Sequence, residues 1–124
     1  MKLAIGTNDK ETLSKKHFGE SRYFCVVDIL NAKRYTDECR VNRVPEHNIS
    51  GKRLRILEEL KDCDALVGRS FGAGVLRNAV KTHTQIILTT LGRIDEAVNA
   101  LIAGSLGQFR QFDPQKRKFV PMEE

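Results

Sequence analysis

The stretch 64–80, Asp-Ala-Leu-Val-Gly-Arg-Ser-Phe-Gly-Ala-Gly-Val-Leu-Arg-Asn-Ala-Val, constrains the fold most. Ala65, Leu66 and Val67 form an apolar run that stops at Gly68. A run this short between turn residues suits a strand covered on both faces. Gly72 and Gly74 are expected to bracket a tight turn, and Val75, Leu76, Ala79 and Val80 recur at helical spacing. The unit therefore reads as strand, glycine loop and helix. Such a loop gathers backbone N–H groups and a helix N-terminus at the carboxyl edge of a sheet, where partial positive charge collects. Arg69 adds a full charge there. A plain connecting loop would use the same glycines.

The flanking segments follow the two periodicities of regular structure. Leu3, Ala4 and Ile5 make a first strand ended by Gly6, and residues 7–16 are expected to form an exposed loop. After His17-Phe18-Gly19, a strand over 22–30 places Tyr23, Cys25, Val27 and Ile29 opposite Phe24, Val26 and Asp28. A short turn at Asn31-Ala32-Lys33 leads to an extended segment over 34–44, giving a hairpin with one wet face. Residues 45–49 form a loop, and Ser50 can cap a helix over 51–61 with Ile56 and Leu54, Leu57 and Leu60 as its apolar stripe. Residues 85–88 read as a strand. Ile94, Ala97, Val98, Leu101 and Ile102 give a last helix, begun by Asp95 and Glu96 and ended by Gly104. The tail from Ser105 holds Phe109, Phe112 and Phe119, enough for a small hairpin or loose packing. The order predicts an α/β fold: a mixed five-stranded sheet with helices on its faces, its parallel part joined by a right-handed crossover.

With 124 residues the chain is one domain, long enough for a real core. The net charge of +5 and pI near 9.3 favour anionic partners: nucleic acid, anionic metabolites or an anionic metal cluster. The start has too short an apolar run for a signal peptide, and no stretch is long enough to span a bilayer, so a cytoplasmic protein without membrane contact is expected. Cys25, Cys39 and Cys63 are odd in number and lack Cys-x-x-Cys spacing. Neither a disulfide framework nor a zinc finger is expected. Cys25 and Cys39 read as free core thiols in a reducing compartment, and Cys63 as structural.

Several stretches together resemble one family. Residues 2–6, His17-Phe18-Gly19, Tyr23-Phe24 and Val27-Asp28-Ile29 are similar to the opening of the nitrogenase iron–molybdenum cofactor biosynthesis domain. This is the family of NifX, NafY and the C-terminal part of many NifB proteins. The resemblance continues through His47, through Asp62-Cys63-Asp64-Ala65-Leu66-Val67-Gly68 and the glycine loop, to Glu96, Ala97 and Gly104. It makes residues 1–104 a cofactor-binding domain and 105–124 a C-terminal extension packing on it. It implies a ribonuclease H-like fold and the binding or carriage of an iron–sulfur-based metallocluster, often without turnover. The chain departs from the family at Gly68-Arg69-Ser70-Phe71-Gly72, where Gly-Gly-Met-Gly or similar is usual.

With the resemblance set beside the loop chemistry, the candidate cofactor-binding residues are His17, Phe18, Gly19, His47, Gly68, Arg69, Ser70, Gly72 and Gly74, with His17 as the metal ligand. A neutral imidazole can ligate iron or molybdenum, and a loop lets a bulky cluster approach. Lys15, Lys16 and Arg69 would supply a positive rim. No catalytic residue is assigned. The first strand carries no Asp or Glu, so the carboxylates of two-metal nucleases are lacking. Neither a phosphate-binding Gly-x-x-x-x-Gly-Lys loop nor a hydrolase elbow around Ser70 is expected. The reading is a non-enzymatic carrier for the iron–molybdenum cofactor or a related cluster, serving a cofactor-assembly or apo-acceptor protein. Nucleic acid is not the expected partner. The alternatives are a basic nucleic-acid or protein interaction module, or a metal or redox sensor working through Cys39 and Cys63.

Overall fold

The structure is a computed structural model that describes residues 1–43 and 52–122, and of 36, 37 and 52–54 the backbone only. His47 and the rest of the 44–51 segment, including the cap expected at Ser50, lie outside the described residues. Strand β1 spans Lys2–Thr7, β2 Tyr23–Leu30 and β3 Lys33–Val41. Helix α1 (Lys52–Glu59) precedes β4 (Ala65–Gly68), and α2 (Ala73–Thr82) precedes β5 (Gln85–Thr89). Helix α3 (Ile94–Ala103) is followed by β6 (Phe109–Asp113) and β7 (Lys118–Pro121).

The strands form one sheet in the order β3-β2-β1-β4-β5-β6-β7. Strand β1 pairs antiparallel with β2 and parallel with β4, and β4 pairs parallel with β5. The sheet has seven strands rather than the expected five, because the tail folds into the β6–β7 hairpin and β6 pairs antiparallel with β5. Phe109, buried beneath α3, and Phe112 and Phe119, packed on the opposite face, hold the hairpin to the sheet.

Both faces of the sheet are covered. Phe24, Val26, Ala4, Leu66 and Ile86 face α1 and α2, which contribute Ile56, Leu57, Leu60, Val75 and Ala79. Cys25, Val27, Leu3, Ile5, Val67 and Ile87 face α3, which contributes Ile94, Ala97 and Val98. The period-2 alternation of β2 thus feeds two cores, and the wet face expected of the hairpin is confined to β3. Full burial of side chains such as Ile5 and Leu66 contributes about 2–3 kcal/mol each.

Cys25 and Cys39 are not free thiols. The β2–β3 register sets them directly opposite, and their sulfurs are bonded at 2.08 Å. Cys25 is buried and Cys39 is exposed, so only one of the two belongs to the core. The free cysteine is Cys63, buried just before β4. Among the described residues, no helix is long and apolar enough to cross a membrane.

Candidate functional site

Strands β1 and β4 run parallel and release the chain at the same edge of the sheet. From β1 the chain enters residues 8–22, and from β4 it enters 69–72 before α2. These two loops meet. The backbone N–H of Phe18 donates to the carbonyl of Ser70 at 2.8 Å. The His17 ring lies beside the same residue, with Nδ1 2.7 Å from Ser70 Oγ. A methyl group at Gly72 would sit 3.8 Å from His17 Cδ2, so the imidazole borders the N-terminus of α2. The ring is exposed to solvent.

The residues around His17 explain why it is held there. Phe18 is buried and stacks on Phe24 at 4.9 Å and on Phe71 at 5.2 Å. Gly68 lies under these rings; a Cβ there would come within 3.2 Å of Phe71 and 3.4 Å of Phe18. Gly19 has Ile56 3.3 Å from where its Cβ would be. The turn 18–20 is closed from the far side by Asn42, whose Nδ2 donates to the carbonyls of Gly19 and Ser21 at 3.0 and 2.7 Å. Asn42 is buried, and nothing in its sequence setting marks it except its place at the end of a strand.

The loop after β1 is more ordered than its composition predicts. Thr7, Leu13 and Ser14 are buried, and bridges join Thr7 to Leu13 and Thr12 to Arg93. Asp9 accepts from the N–H groups of Glu11 and Thr12 at 2.9 and 2.7 Å and from Thr12 Oγ1 at 2.7 Å. These hydrogen bonds, led by the one from the Thr12 N–H, hold its carboxyl well below the usual carboxylate range. The result is a depression of about 570 Å³ whose rim includes Lys15, Lys16, Arg69 and Arg93. The first three are the cations expected at a positive rim; Arg93, which follows β5, is an addition brought in by the Thr12 bridge.

A model of one family, dinitrogenase iron-molybdenum cofactor, matches residues 1–104. The chain belongs to that family. No curated protein matches it. The solved structures that share its fold include the following three. A Methanocaldococcus jannaschii protein described as a candidate dinitrogenase is 17% identical, with a TM-score of 0.66 over 90% of this chain and 93% of its own. PH0822 is 21% identical, with a TM-score of 0.68 over 100% and 98%. A candidate NifB protein from Thermotoga is 20% identical, with a TM-score of 0.61 over 87% and 90%.

In this member of the dinitrogenase iron-molybdenum cofactor family, His17, Ser70 and Gly72 come together, with Phe18, Gly19 and Gly68 packed behind them. Gly74 is not in the loop. It is the buried second residue of α2, and its carbonyl accepts from Asn78 Nδ2 at 3.0 Å. Gly72 is the N-cap of that helix, so the two glycines do not bracket a turn. His83 ends α2 at the far end from His17, in a left-handed conformation at φ 57°. Among the described residues, no group of three or more His, Cys, Asp or Glu could hold a metal ion.

The expectation of no hydrolase elbow at Ser70 does not rest on a missing motif. Gly68-Arg69-Ser70-Phe71-Gly72 does spell Gly-x-Ser-x-Gly, between a strand and a helix. A hydrolase elbow presents its serine to Nε2 of a histidine whose Nδ1–H is held by a carboxylate. Here Nδ1 is the atom that meets the serine, so the wiring of a triad is reversed.

Proposed function

We propose that this protein is a non-enzymatic carrier for an iron–sulfur-based metallocluster, the iron–molybdenum cofactor or a precursor of it, and that His17 is its protein ligand. The single observation that carries this reading is the exposed His17 ring, pinned through Nδ1 to Ser70 at the N-terminus of α2. With Nδ1–H donating to Ser70 Oγ, the lone pair of Nε2 is left for a metal. Gly72 leaves the side of the ring toward α2 free of a side chain, while Phe18, Gly19 and Gly68 pack the turn that carries it. Lys15, Lys16 and Arg69 line the neighbouring depression and would meet an anionic cargo. One imidazole and a charged rim suit cargo that must be handed to an acceptor, because fewer bonds need to break on release. The strand order β3-β2-β1-β4-β5, with β1 between an antiparallel and a parallel neighbour, supports a ribonuclease H-like description.

The test is anaerobic loading with isolated iron–molybdenum cofactor, followed by gel filtration and metal analysis. Wild-type protein is expected to carry visible absorption, iron and molybdenum with it, and His17→Ala to retain at least tenfold less. Equal retention by His17→Ala overturns the ligand assignment. No retention by wild type, in an assay where a nitrogenase cofactor carrier loads, overturns the carrier reading. A steeply salt-dependent binding of RNA or DNA in its place would favour the nucleic-acid module.

A further inference from the structure

Helix α2 and the β6–β7 hairpin flank a groove of about 510 Å³ on the face opposite α3. Its floor includes Leu76, Val80 and Phe112, and its rim carries Arg77, Lys81 and Arg117. Val80 is 43% exposed, a large apolar side chain left in the open on a helix whose other face is core. Among the described residues, no Asp or Glu lines the groove, and none of the three cations has an ion-pair partner. An apolar floor inside a ring of one sign is an interaction surface in search of the opposite charge.

We propose that this groove docks an acidic segment with apolar anchors from a partner protein. Charge complementarity selects the occupant. A second copy packed face to face about a two-fold axis would set Arg77, Lys81 and Arg117 against themselves. A nucleic acid would find phosphate partners but little to stack on, since Phe112 is half-buried and turned edge-on to Phe119 at 5.4 Å. An acidic segment satisfies both features, its apolar side chains covering Val80 and Leu76 and its carboxylates meeting the rim. Helix α2 offers about 15 Å of length, room for roughly three helical turns of a partner.

The groove begins at Ala73, next to Gly72, so a docked segment would lie beside His17. Only that adjacency depends on the cargo reading; the docking stands or falls separately. The rings of Phe18, Phe71, Phe119 and Phe112 also run in contact from the His17 loop to the groove wall, at 5.2, 6.4 and 5.4 Å.

The experiment uses two displayed libraries of ten-residue peptides, one built from Glu, Asp, Leu, Val and Phe, the other with Lys and Arg in place of the acids. Selection on wild-type protein is expected to enrich the acidic library alone. The best enriched peptide should bind the double variant Arg77→Glu/Lys81→Glu at least tenfold more weakly, and should move amide resonances of residues 76–81 and 112. Val80→Glu, also on the surface, should lose binding while leaving the circular dichroism unchanged. His17→Ala should bind the peptide as wild type does. Failure to enrich acidic peptides, enrichment of the basic library, undiminished binding to the double variant, or resonance changes elsewhere would each overturn the proposal. So would concentration-dependent dimerisation abolished by Val80→Glu, which would make the occupant a second copy.

Discussion

His17 Nδ1 and Ser70 Oγ, 53 positions apart in sequence, lie 2.7 Å apart in space. This contact ties the loop after β1 to the loop after β4 and fixes which nitrogen of the imidazole faces outward. Ser70→Ala leaves the Phe18-to-Ser70 backbone bond in place and removes only the hydroxyl. The expected outcome is a ring that samples both tautomers, read from its nitrogen chemical shifts, and a loss of cluster affinity of roughly tenfold. An unchanged tautomer in Ser70→Ala would mean that Ser70 does not orient the ring.

The Cys25–Cys39 pair closes a hairpin segment with a sequence separation of 14. Non-reduced protein should therefore show one titratable thiol after denaturation, that of Cys63, and three after reduction. Replacing both Cys25 and Cys39 by Ser should lower stability by up to about 3 kcal/mol, measured by urea unfolding. In the native state Cys63 should alkylate slowly at pH 8. Burial pushes its thiol up to about 11, and the neighbouring Asp62 carboxylate acts in the same direction.

Gly6 sits where β1 passes under the Phe18 turn. A Cβ there would come 2.5 Å from Ser21 Oγ and 3.1 Å from Phe18. Gly6→Ala should cost about 1–3 kcal/mol by overpacking. Ser21 Oγ is buried with no hydrogen-bond partner among the described residues. Ser21→Ala should therefore be neutral or slightly stabilising, and should recover part of the loss when combined with Gly6→Ala. Additive losses in the double variant would show that the clash lies elsewhere.

Arg40 on β3 forms a fork with Asp62, just ahead of β4, at 2.8 and 2.7 Å. The Arg40 hydrogen bonds hold the Asp62 carboxyl far below its ordinary value. A depressed carboxylate stabilises the fold above its unfolded pKa, about 3.9, and that contribution fades as pH falls toward the folded value. Because the pair is substantially exposed, Asp62→Asn should cost no more than about 1 kcal/mol at pH 7. The gap between variant and wild type should close progressively below pH 4. A gap that widened in acid would contradict the assignment.

Element types were legible because local patterns and packing agree. The 65–67 run, the helical spacings after it and the alternation in β2 each bury what their period exposes to a neighbour. The β6–β7 hairpin was ambiguous because its three phenylalanines are split between two faces, so no single period marks them. The disulfide depended on register, which the turn and a bulge at Val27/Asp28 set together, and which cysteine spacing alone does not encode. Among the candidate residues, the meeting of His17 with Ser70 and Gly72 needs only the parallel pairing of β1 with β4. Asn42 and Arg93 reach the same region through hydrogen bonds that leave no periodic trace.

The two outermost strands of the sheet differ in how they end it. Strand β3 carries Lys33, Arg34, Glu38 and Arg40, and β7 is four residues long and closes on Pro121, which has no N–H to offer. Neither border gives a stranger chain a long, uncharged template to extend. A concentrated solution of this protein should therefore resist fibril growth by strand addition, and the site at the sheet's interior edge stays clear of lateral neighbours.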